Sequence, residues 1–425
     1  MEARPAWWVQ ALAMRRVQLL GAIIFAVVLP GLFRWPAAGA GFTYAGFALN
    51  DPGIANGLIG SAVATGLGFV TLRQLRNHPG VSASGYVFYA FAMTYGTLAI
   101  LLLFLRADYS RYQLGASFLV NVVWFLAIHR VLRRNTWQQF AVVPNEGMRA
   151  PPSTPSVRWQ HLQSPQLDTS SIDGVVADLR FDHEPQWGRL LARCALAGLP
   201  VYDIRKISEQ LTGRVEINHL SENTFVSTLQ GLVYLKVKRG IDLLAVVALA
   251  PGFVIAIGVA ALAIRLEDGG PAIFRQARTG HRGRPFTIYK LRSMRVETAD
   301  GEHFTSEGDP RITRIGGFLR KYRIDEFPQI WNILRGQMSW IGPRPESLAL
   351  AEWYDREVPF YSYRHMVRPG ITGWAQVNQG NVAKIDAATE KLHYDFYYIK
   401  HLSPWLELLI AAKTVQTILT GYGSR

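Results

Sequence analysis

The 425-residue sequence contains a single cysteine, Cys194, which excludes an internal disulfide framework and any cysteine-based metal site built by one chain. Acidic residues are also in short supply, 31 against 45 Lys and Arg, leaving a formal charge of +14. That excess asks for an anionic partner: nucleic acid, anionic lipid or a phosphorylated substrate. Nucleic acid is the weakest of these, because no helix-turn-helix, zinc-finger or single-strand-binding signature accompanies the charge. Four stretches, Val17 to Phe33, Ile54 to Leu72, Tyr86 to Leu105 and Ala116 to Leu132, hold no Asp, Glu or Lys. Nothing in them marks an ion or substrate path.

What those stretches do hold is apolar, and the whole chain is 49% hydrophobic with mean hydropathy +0.09. Each comes near the ~20 residues of a bilayer span, so residues 1–134 read as a transmembrane bundle of four helices. A helical bundle buried in a large soluble protein is the competing account, and four such segments in series weigh against it. The first is a poor cleaved signal peptide, lacking a clear small-residue cleavage site and being followed by more spans. Arg4, Arg15 and Arg16, then Arg73 and Arg76, then Arg130, Arg133 and Arg134 lie on one side. The opposite loops carry Arg34, Arg106 and Arg111 with Asp51 and Asp108. This modest bias places the N-terminus and everything after the fourth span in the cytoplasm.

Residues 135–232 change character, with Pro144, Pro151, Pro152 and Pro155 marking a linker-like stretch. Strand-like runs at Phe140 to Val143, Gly174 to Leu179 and Pro200 to Ile204, with a helical pattern from Trp187 to Ala197, predict a small Rossmann-like α/β domain with parallel strands. The spaced glycines that would bring a pyrophosphate close are missing from Pro144-Asn145-Glu146-Gly147. A structural or docking role is favoured over cofactor binding.

Residues 233–425 carry the densest motifs. Lys236, Lys238 and Arg239 precede an uncharged run from Leu243 to Ile264 with Pro251 near its middle, and Arg265, Arg275, Arg278, Arg282 and Arg284 follow it. Proline should bend such a helix sharply, and positive charge on both flanks favours a segment that dips into the membrane and returns over one that crosses. In Phe286 to Met294, strand alternation would put Lys290 and Arg292 on one face. Next, Arg323-Ile324-Asp325-Glu326-Phe327-Pro328-Gln329 leads into Ile330, Trp331 and Leu334 at helical spacing. A helix N-terminus and the cations Arg320, Lys321 and Arg323 should lower the pKa of Asp325 and keep it ionised. An anionic carboxylate ringed by cations suits attack on phosphorus, whereas an N-cap Asp beside a solvated Glu is the plainer account. Arg368 to Val377 reads as a glycine-turn loop and a short strand. After Pro404, Trp405 to Leu419 suits either a membrane-surface helix or an ordinary core helix.

Seven blocks in order, Lys238-Arg239-x-x-Asp242, the Pro-interrupted helix, Lys-Leu-Arg-Ser-Met (290–294), Asp-Pro-Arg-Ile-Thr (309–313), Asp-Glu-Phe-Pro-Gln (325–329), Gly-Pro-Arg-Pro (342–345) and Arg-Pro-Gly-Ile-Thr-Gly (368–373), carry a resemblance. They resemble the monotopic polyprenol-phosphate phosphoglycosyltransferases, or bacterial sugar transferases, from about Val233 to Thr420, and the whole chain resembles their large form. The fold so implied is a mixed α/β catalytic domain with a Pro-broken re-entrant helix, Pro251 marking the re-entry. The resemblance implies transfer of a hexose-1-phosphate from a UDP-sugar to polyprenol phosphate, release of UMP, and initiation of a surface polysaccharide repeat unit. It implies that Asp325 forms a phosphosugar intermediate and ligates Mg²⁺, and that Glu326 assists. Lys290, Arg292, Arg311, Arg320, Arg344 and Arg368 are candidates for phosphate binding; a solvated helix face is the plainer account of each. UDP-sugar, polyprenol phosphate and the lipid bilayer are the implied partners, with room for a homodimer. Two departures, Gln337 where the family often has Asp and Ala250 before Pro251 where it often has Ser, leave the dyad untouched. Two other readings compete: a non-catalytic membrane scaffold of polysaccharide assembly, and a nucleotide-sugar-modifying enzyme centred on residues 135–232. The intact basic constellation counts against the first and the missing glycines against the second.

Overall fold

The structure, a computed structural model, describes residues 6–34, 43–44, 52–76, 83–135, 138–144, 151–153, 157–168, 172–217, 232–295, 311–379 and 385–420. Arg4, Asp51, the turn Asn145 to Gly147, Pro155 and the pair Asp309-Pro310 lie outside the described residues. The chain divides into two compact units, Met1–Gly213 and Arg214–Arg425.

In the first unit, α1 (Arg15–Leu32), α2 (Pro52–Arg76), α3 (Ala83–Phe104) and α4 (Arg111–Asn135) are long and apolar enough to cross a membrane. They pack on one another around a buried polar knot. Tyr95 Oη lies 2.7 Å from Ser117 Oγ and 3.0 Å from Thr65 Oγ1, and Asn121 Nδ2 donates to Tyr95 Oη at 3.0 Å. With lipid outside, polar groups must find partners between helices.

Beyond α4, β1 (Gln138–Val142), β2 (Val157–His161), β3 (Gly174–Ala177) and β4 (Val201–Asp203) form a sheet in the order β2-β1-β3-β4, every pairing parallel. Alternation sorts the core. Ala141, Val175 and Ala177 meet Trp187, Leu190 and Cys194 of α5 (Pro185–Leu196), whereas Phe140 and Val176 meet Ile204 and Ile207 of α6 (Ile204–Thr212). The parallel sheet matches the sequence reading, which had overlooked β2. Its burial pattern, one buried residue and four at least partly open, carries little hydrophobic signal.

The second unit gathers its first described residues earlier than residue 233. Arg214 Nε donates to Tyr394 Oη at 2.8 Å and the Val215 amide to His393 O at 3.0 Å. After this comes α7 (Leu232–Asp268), which is also long and apolar enough to cross a membrane. It is one helix through Pro251, not two, since a proline removes one hydrogen bond and leaves the rest of the ladder available. An antiparallel hairpin, β5 (Ile273–Thr279) and β6 (Pro285–Leu291), leads to α8 (Arg314–Lys321), a 3₁₀ turn (Ile324–Gln329) and the short α9 (Ile330–Leu334). β7 (Ser339–Ile341) then pairs in parallel with β8 (Gly370–Thr372), and α10 (Leu348–Glu357) lies between them in sequence. The stretch Arg368 to Val377, expected as a glycine-turn loop and a short strand, holds β8 and then the start of a short helix, α11 (Trp374–Asn378). α12 (Ile385–Lys400) and α13 (Pro404–Thr420) close the unit. Leu406, Leu409 and Ile410 of α13 are fully buried, the pattern of a core helix.

Both halves of α7 rest on this same small body. Val246 packs with Phe286, Ile288, Ile333 and Met338, while Ala260 and Ile264 pack with Ala272, Leu291 and Leu319. Between them the Phe253 ring stands 4.4 Å from that of Phe327. Leu244, Val247, Val254, Ile255, Val259 and Leu262 remain exposed, an apolar surface whose natural solvent is lipid.

Candidate active site

The dyad sits on the 3₁₀ turn between α8 and α9. Arg323, just before it, takes a left-handed φ of 55°, and the turn sets Glu326 against Lys290 of β6 and Arg344 of the loop after β7. Glu326 is buried, its Oε1 taken by Arg344 Nη1 at 3.1 Å and Lys290 Nζ at 3.5 Å. Its Oε2 lies 3.8 Å from Arg323 Nη1 and accepts no hydrogen bond. Asp325 makes no hydrogen bond or ion pair among the described residues. One carboxylate of the pair is bolted down and its neighbour is left with its oxygens available. Arg320 Nη1 of α8 is likewise buried without a hydrogen-bond partner, and its charge reaches Asp325.

Burial acts on both carboxyls and the neighbours separate them. For Asp325, burial and the Glu326 charge outweigh Lys290, Arg344 and Arg320, and the carboxyl is pushed up to about 6. For Glu326, burial is overcome by Arg344, Lys290 and Arg323, which hold the carboxyl at about 2. This corrects the expectation of a depressed Asp325. Its turn is 3₁₀ and the helix that follows has five residues, too little for a sizeable dipole, and the nearest cations are committed to Glu326. Asp325 is still the anion at neutral pH. The plainer account of a solvated Glu fails too, since Glu326 is 5% exposed.

Of the remaining sequence candidates, Lys290, Arg320 and Arg344 gather at the dyad. Arg292 does not: β6 ends at Leu291, and the Arg292 guanidinium is buried against Asp268 at the end of α7, so it and Lys290 serve different partners. Arg368 Nε donates to Gly336 O at 2.9 Å, and the Arg311 carbonyl accepts the Arg295 amide at 2.9 Å. Pro251 lies inside α7, two residues before Phe253, whose ring meets that of Phe327 next to the dyad. Gln337, in the place where the family often has Asp, accepts from Asn332 Nδ2 at 2.9 Å and so has a structural partner.

The glycines of Gly-Pro-Arg-Pro and Arg-Pro-Gly-Ile-Thr-Gly permit β7 and β8 to touch backbone to backbone. A Cβ on Gly342 would stand 2.3 Å from Arg368 O, and one on Gly370 would stand 2.1 Å from the Gly342 nitrogen. That contact aims Arg344, two residues beyond Gly342, at Glu326.

Sequence reasoning missed a further set. Arg364 Nη2 lies 2.8 Å from Asp395 Oδ2, Arg364 Nη1 lies 3.9 Å from Glu346 Oε1, and Lys391 Nζ also binds Glu346. Glu346 adjoins the Gly-Pro-Arg-Pro block, a weak pointer; Arg364, Lys391 and Asp395 sit in no motif. Among the described residues no cluster of three or more His, Cys, Asp or Glu could hold a metal ion by itself.

A free carboxylate beside a locked one, supplied with buried guanidinium groups and set against an apolar helix, defines a protein that handles phosphorylated groups at a membrane. The family model for bacterial sugar transferases matches residues 233–421. The UDP-N-acetylgalactosamine-undecaprenyl-phosphate N-acetylgalactosaminephosphotransferase of Aeromonas hydrophila is 44% identical over 408 residues, 96% of this chain and 95% of that protein. A UDP-glucose:undecaprenyl-phosphate glucose-1-phosphate transferase of Caulobacter vibrioides is 42% identical over 187 residues, 43% of this chain and 70% of that protein. The enzyme of the same name from Escherichia coli strain K12 is 42% identical over 158 residues, 36% of this chain and 34% of that protein. The chain belongs to the bacterial sugar transferase family, the polyprenol-phosphate phosphoglycosyltransferases.

Proposed function

We propose that this membrane-associated enzyme transfers a hexose-1-phosphate from a UDP-sugar to undecaprenyl phosphate, releasing UMP and starting a surface polysaccharide repeat unit. The observation that carries the mechanism is the division of labour between Asp325, which is unpaired among the described residues, and Glu326, which is held by Arg344 and Lys290.

A carboxylate oxygen of Asp325 attacks the phosphorus that bears the sugar, and the bond from that phosphorus to the bridging oxygen breaks. UMP leaves with the electron pair. A phosphate oxygen of the polyprenol then attacks the same phosphorus, and the bond to Asp325 breaks, restoring the carboxylate. Arg344, Lys290 and Arg320 stabilise charge on the phosphate oxygens, and Glu326 fixes two of these cations before substrate arrives. Burial that raises Asp325 also leaves it poorly solvated, which suits a nucleophile.

Mg²⁺ would be held by Asp325 together with the substrate's phosphates, as is usual for a cation bound through one or two carboxylates. Support comes from the Asp325 oxygens, which take no hydrogen bond or ion pair among the described residues. When bound, the ion neutralises diphosphate charge. Chelation should stop transfer and added Mg²⁺ should restore it.

We further infer a transmembrane four-helix bundle from α1 to α4 and a monotopic α7 that dips into the cytoplasmic leaflet of the inner membrane. Support for the second comes from Val246 and Ile264, on either side of Pro251, packing against one catalytic body. A helix that crossed the bilayer would carry one of these ends away from it. The donor to try first is UDP-N-acetylgalactosamine, because the relative matched along 96% of the chain is named for it. A panel of radiolabelled UDP-sugars, scored by label extracted into organic solvent, tests the donor. Stoichiometric UMP release without lipid acceptor tests the intermediate, and no release with an active donor would sink it.

A further inference from the structure

Four consecutive carbonyls after β7 are each fastened to a different partner. Pro343 O accepts the Gly370 amide at 3.0 Å, Arg344 O accepts Arg364 Nη2 at 3.0 Å, Pro345 O accepts Arg278 Nη1 at 3.1 Å, and Glu346 O accepts the Thr279 amide at 3.0 Å. A surface loop normally leaves such groups to water. Here Pro343 and Pro345 also fix φ on both sides of Arg344.

The two arginine anchors are themselves held. Arg364, 3% exposed, donates to Asp395 Oδ2 through Nη2 at 2.8 Å and through Nε at 3.1 Å, and to Tyr361 Oη through Nη1 at 2.8 Å. Arg278 Nη2 donates to Gln276 Oε1 at 2.6 Å. Burying a guanidinium is costly, and an apolar contact could pin a loop as well. Each guanidinium gives its carbonyl one hydrogen bond and spends other nitrogens on its own anchor, so the donor is held at a fixed place and direction.

We propose that Arg364 and Arg278 are positioning residues that set Arg344 against Glu326 by gripping the carbonyls of Arg344 and Pro345. The proposal rests on the transferase reading above. A long side chain aimed from a loose loop would have to be ordered in every turnover; a clamped one meets the diphosphate already in place.

A double-mutant cycle in the full-length protein tests this. Arg364→Lys and Arg278→Lys keep the charge and lose the fork; each is made alone and with Arg344→Ala, and kcat/KM, affinity for UDP and Tm are measured. Each single variant should lower kcat/KM on the order of tenfold, through kcat, and add nothing further once Arg344 is gone. Losses that multiply with Arg344→Ala, or that follow a fall in Tm alone, would overturn the proposal. Should Arg364→Lys fail to fold, Arg278→Lys decides it. A wild type that transfers no sugar phosphate would count against the parent reading, and the same cycle in UDP affinity would still decide the clamp.

Discussion

Asp242 Oδ2 accepts a hydrogen bond from Ser339 Oγ at 2.8 Å across 97 residues of sequence, tying the first half of α7 to β7. Trp340 Nε1 donates to the Asp242 carbonyl at 3.1 Å, and Lys238, one turn earlier, lies 3.9 Å from the Asp242 carboxylate and 2.5 Å from Glu407. The membrane helix and the strand that aims Arg344 therefore share one buried polar junction. Asp242→Ala should cost roughly 1–3 kcal/mol, since it leaves the buried Ser339 hydroxyl without its acceptor while Lys238 keeps Glu407, and Ser339→Ala about 1 kcal/mol. Denaturant unfolding of the detergent-solubilised protein measures both. Equal, small losses would mean that the junction adds little net stability.

Asp325→Asn should leave the protein folded and in the membrane but lower transfer by on the order of 10³-fold or more, because the near-isosteric amide cannot act as an anionic nucleophile. Glu326→Gln should keep partial activity and lose much of its hold on Arg344 and Lys290. Substantial turnover by folded Asp325→Asn would remove the covalent role.

The dyad was legible because both carboxylates are neighbours in sequence, and Arg344 because it stands in a rare Gly-Pro-Arg-Pro string. Parallel strands in residues 138–203 could be read from short apolar runs separated by a helical pattern. The sign of the Asp325 shift could not, since it depends on burial and on which cations face Glu326, both created by folding. Nor could Arg364 and Asp395, 31 residues apart with no periodic relation, announce that they would meet. Arg292 shows the opposite failure: a basic residue inside a strong motif whose partner, Asp268, lies at the end of α7.

Glu346 supplies a pH test of the buried network. Burial would raise its carboxyl, but Lys391 and Arg364 overcome that and hold it at about 2 against an ordinary 4.5. A carboxyl depressed by folding contributes stability that is present above pH 4.5 and lost as pH falls toward 2. Glu346→Gln should therefore be less stable than wild type by roughly 3 kcal/mol at neutral pH, and the gap should close across that acidic window. Unfolding curves at stepped pH check it. A gap independent of pH would mean that packing, not charge, makes the difference.

Topology of α7 can be decided by labelling. Lys236 is exposed before the apolar run and Leu266 is 79% exposed near its end, whereas Glu267 caps α8 through the Arg314 amide and should be spared. Cysteines at 236 and 266 should both react with an impermeant reagent only from the cytoplasmic side. The native Cys194 is buried, with burial raising its thiol, so its background should be low. Protection of one introduced cysteine and labelling of the other would make α7 a true span.

Deleting residues 1–213 should leave transfer intact in detergent. Every group assigned to the chemistry lies in Arg214–Arg425, which is compact by itself, and α7 belongs to that unit. The Caulobacter vibrioides relative strengthens the case, because 187 aligned residues make up 70% of it, leaving no room for a second unit the size of Met1–Gly213. We expect kcat/KM within about tenfold of the full chain, as for domains that carry their own core. The measurement is label transfer from UDP-sugar to a short-chain polyprenol phosphate, with UDP binding as a control for folding. A monodisperse truncated protein that binds UDP and Mg²⁺ yet transfers nothing would mean that transfer needs part of Met1–Gly213, either α1 to α4 or the parallel sheet. Deleting residues 1–134 alone would then separate the two, because it removes the helices and spares the sheet.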